Sequence, residues 1–346
     1  MPSLILDRAQ LEVKSEGHTL ALYEAGQRQA TVPIKHIDRC IIHGSQTKLD
    51  SGVLMKLAEA GVTTVLMSPR LPRRVAIVLG PRHNDAAVRL AQASLVLNEA
   101  ACRQWALALV QAKIERQQRA LKHWLLQRPD ARKPLWNAQR SIEAVLAGLR
   151  QASADTPAPL NRLRGLEGCA ARAYFGGLAA VMPAALGFEE RNRRPPRDPV
   201  NVCLSLGYTL LHSQAVQACT IAGLDPMLGF YHRPAVGRES LACDLIEPLR
   251  PVVDRWVWHL LQQRLLREEH FSLDKGACLL GKAGRAVFYD DWERASKPMR
   301  RWLQRKAAAM AQHLRGVGHA WLLSSNDADV FEPPPVNGIV KNGASL

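Results

Sequence analysis

Glu167, His232, Asp244 and Glu247 are polar residues set in apolar company. Glu167 lies in LRGLEGCAARAYF (163–175), and the other three fall in GFYHRPAVGRESLACDLIEPLRP (229–251). Carboxylates with one imidazole make a mixed oxygen and nitrogen site, which suits magnesium, manganese or zinc. Asp244 and Glu247 are three apart at the expected start of a helix, and positions i and i+3 share a face, so both can point at one place. Acids in a first helical turn also answer the helix dipole and commonly stay solvated. A histidine taken alone is more often a core or surface residue than a ligand. Glu167 is the less ordinary member. Its helix carries Leu163, Ala170 and Tyr174 on the buried side, and Gly165 and Gly168 flank the acid. Small neighbours let another segment approach closely, and a carboxylate there is unfavourable unless it is paired or holds a cation. An ion held by two carboxylates keeps positions open for a phosphate and an attacking oxygen. The imidazole would ligate manganese more readily than magnesium, or it would hydrogen-bond the phosphate or move a proton.

The elements that must bring these segments together read as follows. Up to about residue 85 short apolar runs alternate with Gly, Asp, Ser or Pro. They are LILD (4–7), LEV (11–13), TLALYEA (19–25), TVPI (31–34), CII (40–42), VTTVLM (62–67) and VAIVL (75–79), and they predict strands. One helix interrupts them, capped by Asp50 and ended at Gly61. From Asn84 the period lengthens to about 3.6. It predicts one long helix to about Leu126, a second over 135–150, a loop over 151–160, the Glu167 helix, and further helices near 199–222, 241–270 and 292–315. The fold class expected is α+β: a β-rich, sandwich-like domain (1–85) followed by a larger all-α catalytic domain (86–330). A proline-containing tail (331–346) has little to bury and is expected to be disordered.

Composition narrows the partner. The chain of 346 residues carries 46 Lys+Arg against 31 Asp+Glu, a formal net charge of +15. That balance favours an anionic partner such as nucleic acid. The seven cysteines form no C-x-x-C pair, and their odd number argues against a closed disulfide framework and for a cytoplasmic protein. No stretch approaches the roughly 18 apolar residues that span a bilayer.

GLEGCAARAYF, then DPVNVCLSLGYTLL (198–211), then GFYHRPAVGRESLACDLIEPLRP, in this order, resemble the CRISPR-associated integrase family of spacer acquisition. Arg89 and Gln92, Ala112-Lys113-Ile114 with Gln117, and GKAGRAVF (281–288) fit the same pattern. The resemblance implies a homodimer formed through the β domain and a magnesium or manganese site made by Glu167, His232 and Asp244. Glu247 stands at a fourth acidic place, as a ligand or one shell out. It further implies a small ferredoxin-like partner, numbered two in the same series, and a DNA substrate. Short duplex fragments are inserted into a repeat array by 3′-hydroxyl attack, and isolated members cut branched or single-stranded DNA. Candidate DNA contacts are Arg238, Lys282, Arg285, and Arg193, Arg194 and Arg197 of the densest cationic run; an ordinary solvated loop explains that run as well. Tyr208 and Asn201 lie in a family motif that helix packing also explains. A non-catalytic DNA-binding scaffold with a structural acid–imidazole cluster is the alternative, and a small-molecule metallohydrolase is a second.

Overall fold

The structure is a computed structural model. It describes residues 3–325 apart from 9, 44–45, 69–73, 81–84, 156–158 and 193–194, with the backbone alone at 152–155 and 321–325. The first eight strands are β1 (Ser3–Leu6), β2 (Leu11–Glu16), β3 (Thr19–Glu24), β4 (Gln27–Pro33), β5 (Arg39–His43), β6 (Lys48–Leu49), β7 (Thr63–Met67) and β8 (Arg74–Val78), with α1 (Ser51–Glu59) before β7. They form two four-stranded sheets, ordered β4-β3-β2-β6 and β1-β5-β7-β8. β2, β3 and β4 are antiparallel neighbours, whereas β1, β5 and β7 run parallel and β8 closes that sheet antiparallel. Asp50 caps α1 by accepting from the Val53 N–H at 2.8 Å.

β5 shows how the two parts are joined. Every residue of it is buried, as expected of a strand covered on both faces. Cys40 and Ile42 point into the core between the sheets, with Leu11, Val13, Leu20 and Leu57. Ile41, with Val65 and Met67 of β7, points the other way into the helical core.

The helical part comprises α2 (Ala86–Leu97), α3 (Glu99–Gln127), α4 (Arg132–Asp155), α5 (Leu160–Val181), α6 (Pro199–Ala222), α7 (Ser240–Ile246), α8 (Arg250–Gln262), α9 (Lys282–Ala295) and α10 (Lys297–Ser325). The N-terminal β-rich region followed by a larger helical region is the fold class expected. The helical part is not all-α, however: β9 (Phe271–Asp274) and β10 (Ala277–Leu280) form an antiparallel hairpin within it. Four boundaries also differ. The long helix breaks at Asn98, which is extended and caps α3 by accepting from the Ala101 N–H. The apolar stripe continues through that position, so periodicity alone does not see the break. α4 runs on through 151–155, where a loop is expected. The span 241–270 divides into α7, a 3-10 turn (Glu247–Leu249), α8 and a second 3-10 turn (Glu268–His270) that leads into the hairpin, because Pro248 and Pro251 lack the N–H that one continuous helix needs. The span 292–315 belongs to two helices, α9 and α10, that meet at Ser296. The expected tail lies outside the described residues.

α6 is buried on almost every side, as befits a central helix. α8 crosses it at Gly207, where a Cβ would come within 2.8 Å of Val253. The sheet region is fastened to the helices by side chains as well as by apolar packing. Arg285 of α9 pairs with both oxygens of Asp7 at 2.8 and 3.0 Å, and His43 Nδ1 lies 2.6 Å from the Tyr289 hydroxyl. Arg39, almost fully buried, donates to Gln217 of α6 at 3.1 Å.

Candidate active site

α3 supplies Lys113, α5 supplies Glu167, α7 supplies Asp244, and Glu247 opens the 3-10 turn after α7. The Lys113 ammonium forms ion pairs with Glu167 Oε1 and, at 2.6 Å, with Glu247 Oε2. On the far side of Glu247, Arg250 Nε approaches Oε1 at 3.0 Å. Burial opposes the charge on Glu247, but Arg250 and Lys113 outweigh it and hold the carboxyl down to about 2. Tyr231 donates its hydroxyl to Glu167 Oε2 at 3.3 Å, and burial followed by the adjoining Glu167 charge pushes that hydroxyl well up.

Asp244 is used differently. Its Oδ2 accepts from the backbone N–H of Phe230 (2.7 Å) and Tyr231 (3.0 Å). Its Oδ1 lies 2.9 Å from the His232 N–H and 2.7 Å from His232 Nδ1. Both oxygens of this buried carboxylate therefore hold the 230–232 segment in place. A carboxylate only accepts, so Nδ1 carries a proton, and in the neutral imidazole Nε2 is left as the acceptor. His232 Nε2 is 4.0 Å from Glu247 Oε1. Gly229 makes the tight approach possible: a Cβ there would stand 2.5 Å from the Ser240 carbonyl carbon and 2.7 Å from the His232 carbonyl oxygen.

Glu167, Glu247 and His232 Nε2 thus face one neighbourhood, open to solvent past Glu167 and His232, whose side chains are 23% and 27% exposed. Among the described residues no three such donors close on one point, because the Lys113 ammonium stands between the two glutamates. The donor chemistry fits a divalent cation: two carboxylates share one ammonium, and an imidazole nitrogen stands 4.0 Å from the second of them.

Behind this front lies a buried polar relay. Arg250 stacks on the Tyr208 ring, 4.7 Å from its centroid. Tyr208 and Tyr174 both donate hydroxyls to Asp254, the latter at 2.9 Å. Burial pushes the Asp254 carboxyl up to about 6, although the Tyr208 and Tyr174 hydrogen bonds pull the other way.

The expected DNA contacts are dispersed. Arg238 donates to the Arg233 carbonyl and, at 3.2 Å, to Ser240 Oγ, which tightens the turn after His232. Lys282 is exposed at the start of α9, and Arg285 is committed to Asp7. Arg197 is exposed; Arg193 and Arg194 lie outside the described residues. Asn201 organises that loop by accepting from Arg191 at 2.6 Å and donating to the Glu190 carbonyl at 2.9 Å.

A family model described as "CRISPR associated protein Cas1" matches residues 4–294. The chain belongs to the Cas1 family. A CRISPR-associated endonuclease Cas1 of Thermodesulfovibrio yellowstonii is 34% identical over 319 residues, covering 91% of this chain and 96% of the relative. Among solved structures the fold is shared with a casposase bound to an integration product (TM-score 0.77, 21% identity, 91% of each chain). It is also shared with a chain of a Cas6-RT-Cas1–Cas2 complex (TM-score 0.73, 22% identity, 92% of this chain and 35% of that one). Set against the Cas1-type resemblance, the geometry adds Lys113, Tyr231 and Arg250 to the site. Lys113 left a sign in the sequence: it is a lysine on the α3 face that buries Val110, Ile114 and Gln117.

Proposed function

We propose that this chain is a metal-dependent DNA endonuclease and integrase of CRISPR adaptation, inserting short DNA fragments into a repeat array by 3′-hydroxyl attack on a phosphodiester. The observation that carries the reading is the pair of carboxylates, Glu167 and Glu247, held on either side of one cationic position, with His232 Nε2 beside them. These three residues would hold magnesium or manganese, and the ion, when bound, supplies positive charge for the phosphoryl oxygens and favours the alkoxide form of the attacking hydroxyl. Asp244 positions His232 by clamping its backbone and its Nδ1 proton. Arg250 keeps Glu247 ionised from behind. Tyr231, bonded to Glu167, fixes the orientation of that carboxylate.

Homodimerisation through the sheet region and assembly with a small ferredoxin-like second protein belong to the same reading. The relative in the Cas1–Cas2 complex supports a Cas2-type partner. A cytoplasmic setting suits the seven free cysteines, and among the described residues no helix is long and apolar enough to cross a membrane.

The test compares Glu247→Gln, Glu167→Gln and Asp244→Asn, with strand transfer on 3′-tailed duplexes and manganese binding by calorimetry as readouts. The two glutamine variants are expected to keep their fold and lose manganese binding and at least a hundredfold in activity, the scale of removing an electrostatic catalytic group. Asp244→Asn is expected to retain measurable manganese binding while losing rate through a misplaced His232. Strand transfer by Glu247→Gln at the wild-type rate would favour the scaffold reading instead.

A further inference from the structure

The Lys113 ammonium holds its two partners unequally. Toward Glu167 it donates a hydrogen bond to Oε1, on the side of the site that borders solvent. Toward Glu247 it brings charge alone: Oε2 lies 2.6 Å away, yet this buried oxygen accepts no aligned hydrogen bond. A buried acceptor left in that state is unfavourable, and a metal ion, which has no N–H to aim, answers it better than an ammonium does. The charges also cancel. Lys113 and Arg250 are matched one for one by Glu167 and Glu247, while Asp244 has both oxygens committed to residues 230–232. A divalent ion approaching this set meets no surplus of negative charge while Lys113 stays in it. Arg250 is held in place, stacked on Tyr208 behind Glu247. Lys113 is the member that can leave, because its ammonium rides on a flexible four-carbon stem beside a partner that is 23% exposed. Among the described residues its only ion-pair partners are these two glutamates.

We propose that Lys113 gates the metal position: its ammonium holds the two glutamates until a DNA phosphate takes it over, so that a divalent ion loads on the DNA complex in preference to the free protein. The proposal rests on the functional reading above and adds to it a coupling between substrate and ion. The phosphate that strand transfer must bring to the glutamates carries the charge that the ammonium needs on leaving them, so one charge-assisted contact replaces another. With Arg250 still behind Glu247, the departure of Lys113 leaves the two carboxylates one negative charge in surplus. The coupling is reciprocal, since an ion that binds more tightly with DNA present makes DNA bind more tightly by the same factor.

Manganese binding, read by calorimetry at constant pH and salt, tests the gate without recourse to activity. Each protein is titrated alone and when saturated with a 3′-tailed duplex that ends in dideoxynucleotides, so that no strand is transferred. The proteins are wild type, Lys113→Met, Lys113→Gln and Arg164→Met, each checked by thermal melting. Arg164→Met is the control for bulk charge, because it removes an exposed cation one helical turn from Glu167. Without DNA, both Lys113 variants are expected to bind manganese about tenfold more tightly than wild type, a like charge having left the site. DNA is expected to raise the wild-type affinity about tenfold and that of the Lys113 variants by less than about threefold. Arg164→Met is expected to follow wild type within about twofold, since solvent and salt screen an exposed charge. Unchanged manganese affinity in both Lys113 variants without DNA, an enhancement by DNA as large in them as in wild type, or an equal tightening in Arg164→Met would each overturn the proposal. Wild type that binds no manganese even with DNA present would instead defeat the functional reading on which the proposal rests.

Discussion

At the bottom of the cleft, the Lys113 ammonium touches Glu167 and Glu247 while Arg250 backs the latter. Removing one partner of such a buried pair leaves an uncompensated charge, typically a loss of 3–5 kcal/mol. Here Arg250 remains and Glu167 is partly solvated, so Lys113→Met is expected to destabilise the metal-free protein by only about 1–3 kcal/mol. Manganese should restore most of that loss, because it supplies the missing charge between the same carboxylates. Melting temperatures of wild type and variant, with and without manganese, check this; a gap that manganese leaves unchanged would speak against a cation position there. The acids and His232 were legible in the sequence because they interrupt apolar runs. The division of labour between Asp244 and Glu247 was not. Two carboxylates three residues apart look alike until one is seen accepting from the backbone of residues 230–232 and the other facing Lys113.

Asp254 ties three helices together at the level of elements: it sits on α8 and accepts hydroxyls from Tyr174 of α5 and Tyr208 of α6. Its carboxyl is raised from 3.8 to about 6 by burial. Between those values the unfolded chain has released the proton while the folded chain retains it, so stability falls as pH rises through this window. The shift corresponds to roughly 3 kcal/mol, fully present below about pH 4 and lost above about pH 6. Asp254→Asn lacks this ionisation, so the wild-type minus variant stability difference is expected to shrink by that order between pH 4 and pH 7 in denaturant titrations. A difference that stays constant with pH would show that Asp254 ionises as freely folded as unfolded. The elements themselves were readable where punctuation was strong, as at Asp50 and Gly61. The break at Asn98 and the hairpin at 271–280 escaped, the first because the apolar stripe runs through it. The second is short and mostly exposed along β9, so it carries little alternation to detect.

For the whole molecule, the junction between sheets and helices rests on Arg285 with Asp7, His43 with Tyr289, and the shared strand β5. Arg285→Met with Tyr289→Phe is expected to lower stability by about 1–2 kcal/mol, on the scale of lost hydrogen bonds to charged groups. The two regions should then melt out of step, read by near-ultraviolet dichroism and by hydrogen exchange of β2 and β3. Coincident transitions in that variant would mean that apolar packing across β5 suffices. The bipartite plan was visible in the change of period near residue 85. The role of Arg285 was not, since a family-like basic residue reads as a DNA contact until Asp7, 278 positions away, is found against it. The bolted junction bears on how two copies would work side by side. With Arg285 and β5 bracing the sheets against the helices, the distance and angle separating one cutting centre from its twin would be set by whichever strand edges meet. The molecule would then measure its substrate as a caliper does, by the set of its frame.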